Sequence, residues 1–282
     1  MARILAISSY VASGHVGLSA IVPALQALGH EVVAVPTVVL SCHYGHTHVG
    51  GVGVDRADLD GLLWALRANG TLDEIDAVLT GYLPRAAAVA RIAEELDRIR
   101  DQCPDALYLC DPVLGDDPKG LYVPQDVAAA IRERLVPAAD VVTPNRFELS
   151  WLTGTDLRNA EDADRAAGTT GAALVVCTSM PAGNGLIANV SSNGEKALMC
   201  AAPRLKCVPH GTGDLFAALL LGQLLSGHDH AQAMARASSG VQIAIGESIG
   251  SSELRLVACL GRLATACPAQ LIPIRNAPGP SR

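Results

Sequence analysis

VPHGTGDLFAALLLG, residues 208–222, decides how this chain is read. Three small residues, Gly211, Thr212 and Gly213, run into one carboxylate, Asp214, and a nearly unbroken apolar segment follows. Glycine lets successive backbone N–H groups converge on one point, and a helix N-terminus adds positive potential. Together they can hold a phosphoryl group whose charge is rearranging. A carboxylate beside that point can take the proton from an attacking hydroxyl. The same four residues also describe an acid that merely caps a helix. The neighbours along the chain must choose between the two.

Outward from this loop the sequence alternates. RILAISS, EVVAVPTVVL, AVLTGY, ALYLCDPV, ADVVTPN and ALVVCTS are apolar, strand-like runs ended by small or polar residues. Between them LSAIVPALQALG, DRADLDGLLWALRANG, PRAAAVARIAEELDRIRD, VPQDVAAAIRERLVP, RFELSWLTG and NAEDADRAAG carry helical spacing. Gly29, Gly70 and Gly154 act as stops, and Pro84 falls at a first-turn position. SCHYGHTHVGGVGV reads as a loop rich in His and Gly. Asn193-Gly194, between two strand-like pieces, signals a hairpin. Helices follow from about Asp214, around HAQAMARASSGVQIAIG, and over SSELRLVACLGRLA. Such units imply a mainly parallel sheet covered by helices on both faces, with an antiparallel hairpin added. No linker or composition break is evident. One domain over residues 1–274 and a flexible tail over 275–282 are therefore expected.

The chain has 282 residues, 50% hydrophobic and 17% charged, which suffices for a sizeable core and excludes disorder. A formal net charge of -7 argues against nucleic-acid binding through a basic field. No run approaches the roughly 18 apolar residues that a spanning helix requires, so no membrane partner is expected. MARILAISSY reads as a strand rather than a signal peptide. The eight cysteines form no CxxC pair, which fits a reduced, cytoplasmic protein without a disulfide framework.

In open parallel sheets, ligands bind beyond the carboxyl ends of the strands. That rule selects Ser9, the His-rich loop, Tyr82, Asp111, Asp116, Thr143, Glu148, Thr178 and the GTGD loop for one rim. DPVLGD, residues 111–116, and TPNRFE, residues 143–148, supply acids where Mg²⁺ and nucleotide phosphates need negative charge. Pro112 and Pro144 fix the chain as it leaves two strands. Taken singly, each segment is equally an ordinary turn. No Walker A pattern is present, which counts against a P-loop kinase.

The ordered set ISSYVASGHVG, TGYLP, DPVLGD, LYVP, TPNRFELSWLTG and HGTGDLFAALLLG resembles the pyridoxal kinases of the ribokinase-like superfamily. The resemblance runs from Ser9 to about Ala264. GTGD alone marks the superfamily; TPNRFE and TGY in this order are far more specific. It implies a three-layer ribokinase-like sandwich that transfers the γ-phosphoryl of ATP to the 5′-hydroxyl of pyridoxal. Asp214 would be the base, and Gly211, Thr212 and Gly213 the anion hole. Ser9, His43, Tyr44 and Tyr82 would face the substrate ring. Asp111, Thr143 and Thr178 would lie near ATP and a monovalent cation, K⁺ or Na⁺. Asp116 and Glu148 would hold the Mg²⁺ environment, and Leu121 to Pro124 would flank a mobile lid. Members are commonly homodimers.

Two positions depart from the family pattern. Its segment after the second strand often reads Ser-Asn-His-Thr, whereas here it is Ser41-Cys42-His43-Tyr44. His210 stands before the anion hole where a small apolar residue is more usual, and would contact nucleotide or metal-bound water, or simply face solvent. These keep a kinase for another hydroxymethyl heterocycle, such as hydroxymethylpyrimidine, as an alternative; a non-catalytic B6-binding protein is a further one. His43, His46 and His48 invite a zinc site, but the spacing fits no strong metal motif and a flexible substrate loop is the expectation. SGHVG, residues 13–17, lacks the first glycine of a dinucleotide loop and suggests close packing at Gly17. Cys110 reads as core rather than nucleophile.

Overall fold

The computed structural model describes residues 1–205 and 208–275, and in it strand and helix alternate as the apolar spacing requires. The order is β1 (Arg3–Val11), α1 (Leu18–Ala27), β2 (Glu31–Leu40), β3 (Gly51–Gly53), α2 (Arg56–Ala68), β4 (Ala77–Thr80), α3 (Ala86–Gln102) and β5 (Leu107–Cys110). There follow β6 (Gly115–Asp116), β7 (Gly120–Leu121), α4 (Gln125–Ala130), β8 (Val141–Val142), α5 (Arg146–Thr153), α6 (Ala160–Ala167), β9 (Leu174–Pro181), β10 (Leu186–Ser192) and β11 (Ala197–Pro203). The chain ends with α7 (Thr212–Leu225), α8 (His230–Glu247), α9 (Leu260–Leu263) and β12 (Ile272–Arg275).

Ten of these strands form one sheet, ordered β12-β11-β10-β9-β8-β5-β4-β1-β2-β3 among the described residues. From β9 to β2 every pairing is parallel. The edges, β10 to β12 on one side and β3 on the other, are antiparallel. Side-chain alternation sorts the two faces. Ile4 and Ala6 of β1 join α1, α7 and α8 in one core, while Leu5 and Ile7 join α2, α3 and α4 in the other. Both faces are covered, which is why the parallel strands are apolar throughout. Helix α7 lies deep in the first core. Leu215, Ala217, Ala218, Leu220 and Leu221 are fully buried, so an amphipathic stripe would be misplaced there.

Several boundaries differ from the sequence reading. The hairpin at Asn193-Gly194 joins β10 to β11 as expected. The His-rich stretch also contains β3, paired to β2, which its glycines disguised. SSELRLVACLGRLA forms not one helix but a 3₁₀ turn, Leu256–Ala258, and the short α9. Pro84 lies before the N-cap, Arg85, rather than inside the first turn of α3. Strand β12 reaches Arg275, the first residue of the expected tail; residues 276–282, the rest of that tail, lie outside the described residues. No described helix is long and apolar enough to cross a membrane, and the described cysteines are free thiols.

Candidate active site

The segments after the carboxyl ends of β1, β2, β4 and β5 meet the N-terminus of α7. Helix α7 begins at Thr212 with Gly211 as N-cap, and no side chain caps it. Asp214 is the third residue of the helix, so it is not the N-cap that the simpler reading required. Gly211 adopts φ 94°, a left-handed conformation natural only to glycine. A Cβ there would overlap the carbonyl oxygen of His15. The first intrahelical bond at this end is donated by the Leu215 N–H to the Gly211 carbonyl. The preceding amides therefore start without helical partners, as at every helix N-terminus. Gly213 is exposed, with open space where its side chain would be.

Asp214 is partly open to solvent. Its carboxylate accepts hydrogen bonds from the Gly17 backbone N–H and from its own. Burial nevertheless pushes its pKa up to about 6. Gly81, after β4, leaves the space beside it: a Cβ on Gly81 would stand 4.0 Å from Asp214 Oδ1. Gly17 is equally constrained, since a Cβ there would overlap Ser9. The close packing expected at Gly17 is thus present. Ser9 does not follow β1 but lies within it, where the register with β2 shifts between Ser8 and Tyr10. Ser8, unmarked in the sequence, accepts a hydrogen bond from the Tyr82 N–H at 3.1 Å and braces the turn after β4.

Behind Asp214 stands a second tier of acids. Asp111, directly after β5, is buried, and its pKa is raised by burial, then by the charges of Glu148 and Asp214. These acids therefore sit in one electrostatic neighbourhood. Glu148 is largely committed to the backbone. Its Oε1 accepts from the Leu114 N–H at 2.7 Å, and its Oε2 from the Asn145 N–H at 2.8 Å as half of a capping box on α5. Burial raises it to about 7 despite those donors. Asp116 differs: its Oδ1 is buried with no hydrogen-bond partner. Buried polar atoms without partners are uncommon and mark places where an ion or water completes the set. Asp116 thus fits a divalent cation directly, with Glu148 fixing the loop that carries it. Thr143, whose hydroxyl faces the Asp111 carboxylate and favours its ionised form, could hold a monovalent one together with it. Thr178, at the end of the apolar part of β9, bridges to Asn145.

The residues expected on the substrate side divide. Tyr82 is half-buried, and its phenol is raised by burial and by Tyr44. Tyr44 is 65% exposed and so does not fill the crevice. His43 tucks inward, its ring 4.2 Å from that of His210. Burial, then His43 and Lys119, lower the His210 imidazole. Lys119, in the turn between β6 and β7, therefore faces this region and was not singled out by any motif. Glu253 was also missed. It receives His43 and His46, whereas His48 stays outside that cluster. Cys110 is core, with burial pushing its thiol up to about 12.

The phosphomethylpyrimidine kinase family model matches residues 12–255. The pyridoxal kinase PdxY of Rubrobacter xylanophilus is 38% identical, with 97% of each chain covered. The chain belongs to the pyridoxal kinase family. PdxY of Deinococcus radiodurans is 37% identical over 92% of each chain. Among solved structures, pyridoxal kinase from Leishmania donovani in complex with ADP and pyridoxamine superposes with a TM-score of 0.92 at 31% identity, covering 98% of this chain and 100% of that one. Pyridoxal kinase from Entamoeba histolytica gives the same TM-score at 29% identity, covering 97% and 100%. The architecture is accordingly the ribokinase-like three-layer sandwich. The 12–255 span of the family match takes in the site residues from Gly17 to Glu253.

Proposed function

We propose that this chain is an ATP-dependent pyridoxal kinase, a phosphotransferase acting on an alcohol. Family membership carries the substrate class; the observation within this chain that carries the chemistry is Asp214. It lies at the partly open mouth of a helix N-terminus with its pKa raised to about 6, near the range that suits a base at neutral pH.

In the step, the 5′-hydroxyl oxygen forms a bond to the γ-phosphorus as the bond from that phosphorus to the β–γ bridging oxygen breaks. Asp214 takes the hydroxyl proton, and ADP leaves with the bond electrons. Gly211, Thr212 and Gly213 present amides to the moving phosphoryl group, whose charge they stabilise without covalent chemistry. Ser9, His43 and Tyr82 contact the pyridine ring, with Tyr44 at its exposed edge. Asp111, Thr143, Thr178 and His210 line the nucleotide side. Asp116 would hold Mg²⁺ with support from Glu148, and Asp111 with Thr143 would hold K⁺ or Na⁺; when bound, such ions neutralise phosphate charge. The enzyme acts in the cytoplasm as a homodimer, folded as one domain.

Purified protein with Mg-ATP and a panel of pyridoxal, pyridoxine, pyridoxamine and hydroxymethylpyrimidine tests this reading. ADP and a 5′-phosphorylated B6 product are expected, with pyridoxal turned over more efficiently than the pyrimidine. The match to the phosphomethylpyrimidine kinase model favours the pyrimidine as the second reading. Preference for it would replace the first. Tight vitamer binding without any ADP formation would leave a non-catalytic binding protein.

A further inference from the structure

Glu253 lies in the segment after α8, far in sequence from the residues it meets. Its Oε1 is 3.1 Å from His43 Nε2 and 2.6 Å from His46 Nε2. The backbone at Glu253 forms a parallel bridge with that of His210, immediately before the anion hole. Gly14 leaves room for the carboxylate, which a Cβ at that position would press against. One residue thus touches the substrate loop, the turn after β1 and the entrance to α7.

Two imidazoles and a carboxylate look like a metal site, since their donor atoms lie within 4.8 Å of one another. The second carboxylate oxygen, Glu253 Oε2, is buried with no hydrogen-bond partner, but the hydrogen bonding of His43 argues against a metal. The Gly45 N–H points at His43 Nδ1 from 3.0 Å, so that nitrogen is the acceptor. A neutral imidazole accepting at Nδ1 carries its proton on Nε2. Nε2 then donates to Glu253 and has no lone pair for a metal. His46 Nε2 lies at donor distance from the same oxygen.

We propose that Glu253 is a positioning residue for the B6 substrate, a role that rests on the pyridoxal kinase reading. Its carboxylate accepts from both imidazoles and clamps the 41–50 loop over the crevice, fixing the face of His43 that meets the ring. The 12% exposure of the His43 side chain matches a group held inward, while His46, at 40%, closes the clamp from outside.

Steady-state kinetics of the wild type, Glu253→Ala and Glu253→Gln, with histidine ¹⁵N–¹H spectra of each free protein, test the clamp. Hydrogen bonds to a charged group are strong enough that Glu253→Ala should raise KM for pyridoxal about tenfold or more. KM for ATP and kcat should stay within about twofold of the wild type. Glu253→Gln keeps an accepting oxygen and should recover most of the loss. The spectra should place the His43 proton on Nε2 in the wild type, with that proton exposed to exchange in Glu253→Ala. An unchanged KM for pyridoxal in Glu253→Ala would overturn the proposal, as would a Gln variant as impaired as the Ala variant. Stoichiometric Zn²⁺ binding that Glu253→Ala abolishes would overturn it in favour of a metal site. Absence of wild-type turnover on every B6 vitamer would sink the kinase reading instead, and the spectra would then decide whether the clamp exists.

Discussion

The Gly17 backbone N–H donates to the Asp214 carboxylate, joining the turn after β1 to the first turn of α7. This bond holds the acid in place and favours its ionised form, while burial disfavours that form more strongly and leaves it near pH 6. In the proposed role of base, Asp214 must be ionised. Its kcat/KM should therefore rise with pH through about 6 and level off above. Asp214→Asn should lose roughly 10²- to 10⁴-fold in kcat, the range spanned by positioned general bases, with vitamer binding retained. Unchanged turnover in that variant would remove Asp214 from the role.

The same shift makes a stability prediction of opposite sign. Between the ordinary value of 3.8 and about 6, folded Asp214 keeps a proton that the unfolded chain has lost. Stability therefore falls as pH rises across that window. Asp214→Asn cannot ionise and keeps an oxygen to accept from Gly17. At pH 7–8 it should be more stable than the wild type by on the order of 1–3 kcal/mol, a rise of several degrees in Tm. Thermal melts at pH 4 and pH 8 check this: the advantage should vanish at the lower pH.

Gly211 has no tolerable replacement. Its φ of 94° and the His15 carbonyl against its α-carbon both exclude a side chain. Gly211→Ala should cost about 2 kcal/mol or more, the sum of a strained backbone and an overlap that must be relieved by moving the loop. It should also reduce kcat by more than tenfold, because the amides it orients would shift. Denaturant melts and single-turnover assays on soluble protein separate the two effects.

Much of this site was legible in the sequence because its parts are local. DPVLGD and TPNRFE place their acids within a few residues of the ends of β5 and β8, where apolar runs stop, and GTGD places its acid in the first turn of α7. Glu253 was not legible. It acts on His43, 210 residues away, and no motif announces a carboxylate whose partners arrive by tertiary folding. Ser8 was hidden for another reason: it sits inside a buried strand, where period-two alternation marks a face but not a hydrogen bond to Tyr82. Strand β3 escaped because GVG carries no apolar alternation and is defined by pairing with β2. Asp116 and Glu148 looked equivalent as acids, and the backbone donors around Glu148 and the unpartnered Oδ1 of Asp116 tell them apart.

That difference yields a paired prediction. Asp116→Asn removes charge at the carboxylate whose Oδ1 has no protein partner. It should raise the Mg²⁺ concentration needed for half-maximal activity several-fold, with little change in Tm. Glu148→Ala removes the acceptor of the Leu114 and Asn145 amides. Leaving buried donors unpaired costs about 1–3 kcal/mol for each, so this variant should be clearly less stable. Mg²⁺ titrations and thermal melts of both variants decide the matter. Equal losses of stability would show that Asp116 is as structural as Glu148.

Tyr44 offers the sharpest test of how the substrate edge is built. The sequence resemblance sets a smaller residue at this position, and a bulky ring in the crevice would restrict which heterocycle enters. At 65% exposure the ring instead lies outside, near enough to Tyr82 to influence its ionisation but not filling the space before Asp214. A largely exposed side chain has few contacts to lose, so its removal should change little. Tyr44→Thr should leave KM for pyridoxal within about threefold and keep the preference over hydroxymethylpyrimidine. A tenfold gain in pyridoxal turnover would mean that the ring folds inward during catalysis and obstructs the substrate. Competition assays with both heterocycles in one mixture measure that preference directly, because the ratio of products reports the ratio of kcat/KM values.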